Sequence, residues 1–199
     1  METSVSIKAF WFGDQADDAI TAATQAKLWW SKNADLDQLI TQRFAGVTEQ
    51  VASGALDSWK STPDGCLSLI LLCDQFPRNM YRGTPRAFAY DALARSLCRD
   101  GLASGYDRQL RLIERVFFYL PLEHSESMED QDRAVALFTS LSAVATEQQQ
   151  SLFDGYLKYA IRHREVIARF GRFPHRNQIL GRASTPEEIL FLSEPGSSF

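Results

Sequence analysis

Residues Leu152–Arg182 read LFDGYLKYAIRHREVIARFGRFPHRNQILGR. In the first part, Phe153, Tyr156, Leu157, Ala160, Ile161 and Ile167 recur at three- and four-residue steps, the spacing of one helix face. This predicts a helix from about Leu152 to Phe170, with Gly171 as its stop. From His163 onward the same stretch carries two of the three histidines, five arginines and a single acid, Glu165. Polar residues set among apolar ones at helical spacing must in part face inward. Buried charge is costly unless it is paired or used, so this stretch predicts both a helical fold and a polar centre.

The same periodicity extends outward. Leu36, Leu39, Ile40, Phe44, Val47 and Val51 form an amphipathic stripe, with Asp35 as its expected N-cap and Gly54 as its end. Asp17–Trp30 reads as an Ala-rich helix closing on Trp29-Trp30. Thr62-Pro63, Thr84-Pro85 and Thr185-Pro186 each place a capping hydroxyl before a proline, and Glu188 completes a capping box with Thr185. These signals predict helices over Pro63–Gln75, Pro85–Leu102 and Pro186–Leu192, with Phe76–Gly83 as a loop. Asp107 is the expected cap of a helix ending near Tyr119, broken by Pro121. Ser125 or Ser127 should cap a helix reaching about Ala145, and Thr146–Gln150 reads as a turn. Val5–Phe12 is too short for its periodicity to separate helix from strand. The tail Glu194–Phe199 is too broken for helix. No segment alternates like a half-buried strand, and no hairpin turn signal separates apolar runs. The expectation is an all-α single domain over residues 1–199, with seven to nine helices and short loops.

Composition narrows the function classes. Hydrophobic residues make up 45% of the 199, enough for a core without disulfides or metal staples. Cys66, Cys73 and Cys98 show no close pairing and read as small buried hydrophobes. With no secretory signal they favour the cytoplasm. No apolar run is long enough to span a membrane. A net charge of -4 argues against nucleic-acid binding. Yet nine of the sixteen arginines fall at positions 78–86 and 162–182, and Arg suits planar pairing with carboxylate or phosphate.

Four segments mix aromatic or proline residues with polar ones: Asp74–Arg82, Phe117–Glu126, His163–Arg164 and Phe170–Arg182. That mixture suits a ligand-site wall, and equally a network pinning long loops to helices. A zinc site could draw on His124, His163 and His175 with Glu126 or Asp74. The spacing lacks His-x-x-x-His, and neighbouring arginines oppose a divalent cation, so no metal and no cofactor is expected. Gly-rich phosphate loops and a Gly-x-Ser-x-Gly elbow are absent. An anion site fits better. The candidate ligand-binding residues are Asp74, Arg78, Asn79, His124, Glu126, His163, Arg172, His175, Arg176 and Asn177. The candidate acid/base residues are His124 and His175, oriented by Glu126 or Asp74.

Together, FWFGD (Phe10–Asp14), LDSW (Leu56–Trp59), LCDQFPRNMYRGTPRAFAYD (Leu72–Asp91), FFYLPLEHSE (Phe117–Glu126), RFGRFPHRN (Arg169–Asn177) and LGRASTPEE (Leu180–Glu188) carry a resemblance. The chain resembles the bacterial family known as domain-of-unknown-function 924 over nearly its whole length. The resemblance implies a right-handed, tetratricopeptide-like stack of antiparallel helix pairs, although the tetratricopeptide sequence signature is missing. The family's usual residue before Asp-Gln is apolar, commonly Leu, so Cys73 here fits a core position. The resemblance implies no activity and no catalytic residue. The resulting expectation is a binding protein whose concave side presents Arg78, His124, His163, Arg172, His175 and Arg176 to an anionic small molecule or acidic peptide. The alternatives are a small hydrolase or lyase using His124 or His175, and a purely structural or protein-interaction scaffold.

Overall fold

The structure, a computed structural model, describes residues 2–197; Ser198 and Phe199 of the tail lie outside the described residues. Among these there are nine α-helices and no strand: α1 Ser4–Phe12, α2 Asp18–Trp30, α3 Ala34–Ala52, α4 Pro63–Met80, α5 Asp91–Ala103, α6 Leu112–Glu123, α7 Met128–Ala143, α8 Gln150–Phe170 and α9 Pro186–Leu192. Short 3-10 turns occupy Asp57–Ser61, Pro85–Phe88, Asp107–Gln109 and Pro174–Arg176. The ambiguous N-terminal segment is helical, capped by the Thr3 hydroxyl, which accepts from Ser6 N.

Consecutive helices pack on one another, α3 on α4, α4 on α5, α6 on α7 and α7 on α8. α4 and α6 form the hub: α4 also touches α1, and α6 touches α2, α4, α5 and α8. Hence every side chain of α4 from Cys66 to Phe76 is buried. Aromatic rings fill the space between α1, α2, α4 and α6. Phe117 lies edge-on to Trp11 at 5.6 Å and to Trp29 at 4.6 Å, and Phe76 packs on Phe44 at 4.4 Å. α5 approaches both hub helices closely at Gly101, where an added Cβ would lie 2.5 Å from Phe118 Cζ and 2.9 Å from Cys66 Sγ. A separate small cluster, Val166, Ile167 and Phe173, seats the chain after α8. All three cysteines are free and buried, as expected of small core residues.

Several boundaries differ from the sequence reading, for identifiable reasons. α4 runs through Pro77 to Met80, where a loop was expected. Pro77 removes one backbone hydrogen bond near the helix end, a cost of about 3 kcal/mol in an isolated helix. Here the turn is buried and tied by ion pairs from Arg78 to Asp74 and from Arg82 to Asp37. Pro121 likewise sits inside α6, among residues that are all buried, and does not break it. Asp107 opens only a 3-10 turn. α6 starts at Leu112, where the Glu114 carboxylate accepts from Arg111 N at 3.1 Å.

The expected helix over Pro85–Leu102 is split. The Thr84 hydroxyl donates to Tyr81 O at 2.8 Å and does not cap, so Pro85–Phe88 forms a 3-10 turn and α5 begins at Asp91. Asn33, not Asp35, caps α3, because its side-chain oxygen accepts from both Asp35 N and Leu36 N. Thr62 and Thr185 cap α4 and α9 as predicted.

Candidate functional site

Because α6 runs on through Pro121, its C-terminal end brings His124 to Asp74 on α4. Asp74 is fully buried on α4, and His124 is the C-cap of α6. His124 Nδ1 lies 2.8 and 3.1 Å from the two Asp74 oxygens. Glu123, one residue earlier, points a different way, to His163 Nδ1 at 3.2 Å. One helical turn beyond Asp74, the Arg78 guanidinium sits 3.2 Å from Asp74 and donates to both oxygens of Asp91 at 3.1 and 3.2 Å. Asp91 occupies that position because the 3-10 turn before it delays the start of α5.

Arg176 enters from the turn after α8. Its guanidinium is stacked between the rings of Phe173 at 4.5 Å and Phe88 at 4.8 Å. Its nearest carboxylate oxygen, Asp91 Oδ2, is 3.7 Å from Nη1, too far for a hydrogen bond, and its Nε is buried with no acceptor. The side chain is only 7% exposed.

Electrostatics follow from burial. Although burial raises the Asp74 carboxyl, Arg78 and then His124 outweigh it and hold it well below the usual range. Burial lowers all three imidazoles, His163 and His175 to about 3, so they are neutral near pH 7. Glu123 is pushed up to about 8 by burial, reinforced by Asp74. The Glu123–His163 contact is therefore a neutral one, with His163 Nδ1 donating to Tyr159 O at 2.9 Å. Burial and neighbouring Arg78 lower Arg176 to about 10, which leaves it charged at neutral pH. The centre thus holds two guanidiniums, Arg78 and Arg176, against two carboxylates, Asp74 and Asp91. Charge is balanced, but the Arg176 Nε donor has no acceptor.

Two cavities meet at this centre. Phe88, His124 and Arg176 line both. The first, about 480 Å³, is walled by Trp29, Trp30, Leu120 and Ile179 and reached by Lys32, Arg78, Arg82, His163 and His175, with no carboxylate among the described residues lining it. The second, about 530 Å³, includes Asp91, Glu126 and Asp130 among its lining. Those acids are already engaged. Asp91 pairs with Arg78, Glu126 with Arg182 at 2.7 Å, and Asp130 with Arg99 at 2.6 Å.

Of the ten candidate ligand residues, Asp74, Arg78, His124, His163, His175 and Arg176 converge on this centre. Asn79 lines the first cavity and donates to Asp37 at 2.9 Å. The other three hold the C-terminal segment in place. Glu126 accepts from Phe173 N and from Arg182, Arg172 donates to Glu188 at 2.7 and 2.8 Å, and fully buried Asn177 donates to Ser184 and Glu188. Arg182 joins Glu126 to Asn177, which accepts from its Nε at 3.0 Å. Asp74, not Glu126, is the carboxylate on His124. Among the described residues, no three His, Cys, Asp or Glu side chains are grouped to hold a metal ion. Sequence reasoning missed Asp91, Phe88, Trp30 and Lys32. Phe88 and Asp91 both lie in the Leu72–Asp91 motif, which was the available signal for them; Trp30 ends α2 and Lys32 follows it in irregular chain, with no motif to mark either.

A family model described as bacterial protein of unknown function, DUF924, matches residues 7–196. The chain belongs to this DUF924 family. A solved structure, that of a protein of unknown function from Agrobacterium tumefaciens, is 37% identical, with 96% of each chain covered and a TM-score of 0.80. None of the curated proteins matches. Nothing in these likenesses assigns a ligand or a reaction to DUF924, so function has to be argued from the site.

Proposed function

We propose that this DUF924 protein binds an anionic small molecule in the first cavity, with the anion received by Arg176. The observation that carries the reading is a charged, buried guanidinium whose Nε has no acceptor, lining a cavity without a carboxylate among the described residues. A buried donor without a partner costs about 1–3 kcal/mol, which an anion would recover through charge-assisted bonds. The dimensions suit a small molecule better than an acidic peptide. Titration calorimetry with acetate and inorganic phosphate should show binding to at least one of them that falls tenfold or more in Arg176→Gln. Equal affinity in the variant would remove Arg176 from the site.

The Asp74–His124 pair favours a second reading, a small hydrolase or lyase in which Asp74 fixes the tautomer and His124 Nε2 exchanges a proton with substrate. Turnover of an anionic ester such as 4-nitrophenyl phosphate would then fall about a hundredfold or more in His124→Gln. Unchanged turnover would exclude the ring from the chemistry. A cytoplasmic location is supported by the three free, buried thiols. Among the described residues, no helix is long and apolar enough to cross a membrane. The sequential helix pairings support reading the chain as one domain with a tetratricopeptide-like stack.

A further inference from the structure

The first cavity has two chemically different ends, and two helices measure the distance between them. On α6, Phe117 stacks on Trp30, with ring centroids 5.8 Å apart and planes at 15°, and seven residues later His124 lies at the Arg176 end. On α8, Tyr156 lies 6.3 Å from Trp30, and seven residues later His163 lies 6.2 Å from His124. Seven residues are two turns of helix, about 10 Å. Both helices therefore run from the same tryptophan corner to the same imidazole corner. Leu120, between Phe117 and His124 on α6, also lines the cavity. Trp30 is 53% exposed, an indole left half uncovered at the cavity wall.

Resting on the anion-binding reading above, we infer that the ligand is an elongated amphiphilic anion: a flat or apolar body seated against Trp30 and Leu120, and one carboxylate or phosphate head about 10 Å away on Arg176. Lys32 and Arg82 do not move the head to the other end. Arg82 is spent on Asp37, to which it donates at 2.8 and 2.9 Å, and Lys32 lies on the exposed rim. A small symmetric anion would satisfy Arg176 and leave the apolar wall wet. A neutral apolar molecule would cover the wall and leave the Arg176 charge with no closer anion than Asp91 at 3.7 Å. Only a molecule with both parts answers both ends.

The probe is 6-phenylhexanoate, whose extended chain separates ring from carboxylate by about this span. It is compared by titration calorimetry with acetate, benzoate, 6-phenylhexan-1-ol and 6-phenylhexyl phosphate. The expected result is binding of 6-phenylhexanoate or its phosphate counterpart at least tenfold tighter than acetate, benzoate or the alcohol. The preferred head group identifies the class as carboxylate or phosphate. Trp30→Ala should erase the advantage over acetate, while Arg176→Gln weakens every anion. If Arg176→Gln does not fold by thermal melting, Arg176→Lys keeps the charge, loses the planar fork, and should still lose affinity. Acetate binding as tightly as 6-phenylhexanoate overturns the amphiphile but leaves the anion site standing. An alcohol that binds equally well overturns the charged head. No binding by any probe overturns both readings.

Discussion

Replacing Asp74 by Ala will lower stability by about 3–5 kcal/mol, the cost of removing one partner from a buried charge pair. Asp74 is fully buried and accepts from His124, Gln75 and Arg78 together. Its loss leaves two guanidiniums, a partly buried Arg78 and a buried Arg176, against Asp91 alone, and leaves His124 Nδ1 without its acceptor. Asp74→Asn retains the shape and one oxygen, and should lose less than Asp74→Ala. Urea unfolding followed by circular dichroism reads the result. A lowered midpoint with an unchanged slope assigns the loss to the native contacts. A loss under about 1 kcal/mol, the range of a surface pair, would mean that Asp74 is not the keystone of the centre.

The pH profile carries the second large effect. His163 and His175 are held near 3, whereas an unfolded imidazole titrates near 6.5. Below pH 6.5 the unfolded chain takes up protons that the native one refuses. Stability therefore drops toward acid by about 1.4 kcal/mol per pH unit for each ring, or about 2.7 for both. His124, also lowered by burial, adds to the same limb. Glu123 acts in the opposite sense, because its pKa is raised to about 8 from an unfolded 4.5. Between those values the native state keeps a proton that the unfolded chain releases, so stability declines with rising pH by about 1.4 kcal/mol per unit. The histidine limb wins below 6.5 and the Glu123 limb is alone above it. Denaturation midpoints from pH 4 to 9 should therefore peak near pH 6.5. Below about pH 4.5 the fall steepens, since Asp74 and Glu188 are depressed in the fold and stay ionised while their unfolded counterparts take up protons. Glu123→Gln should abolish the decline between pH 6.5 and 8. A wild-type profile still rising through that interval would contradict the neutral Glu123–His163 contact.

The helices that periodicity and caps could specify were readable from the chain. α9 begins where its Thr-Pro and capping-box signals indicate, and the α8 stripe ends at Gly171. What local signals could not show was tertiary support. Pro77 and Pro121 look like breakers in isolation and are carried by burial on the α4–α6 hub. Thr84 looks like a cap, yet bonds backward to Tyr81. At the site, residue chemistry singled out the histidines and arginines, but partner choice depends on three-dimensional reach. Glu126, close in sequence to His124, is taken by Arg182. Asp74, fifty residues away, holds the ring, and Asp91 arrives only because a proline turn postpones α5. Arg172 and Arg176 are four residues apart and chemically alike. One is locked to Glu188 and the other has no acceptor within hydrogen-bonding distance of its Nε, a difference set by the turn between them.

The most direct measurement is a crystal structure of the protein grown with 6-phenylhexanoate. Carboxylate density within hydrogen-bonding distance of Arg176 Nε or its terminal nitrogens, with the phenyl ring against Trp30, is the predicted result. A cavity without the probe, or the probe bound on an outer surface while Arg176 turns onto Asp91, would contradict the claim that distant segments of this chain assemble a seat for an anion.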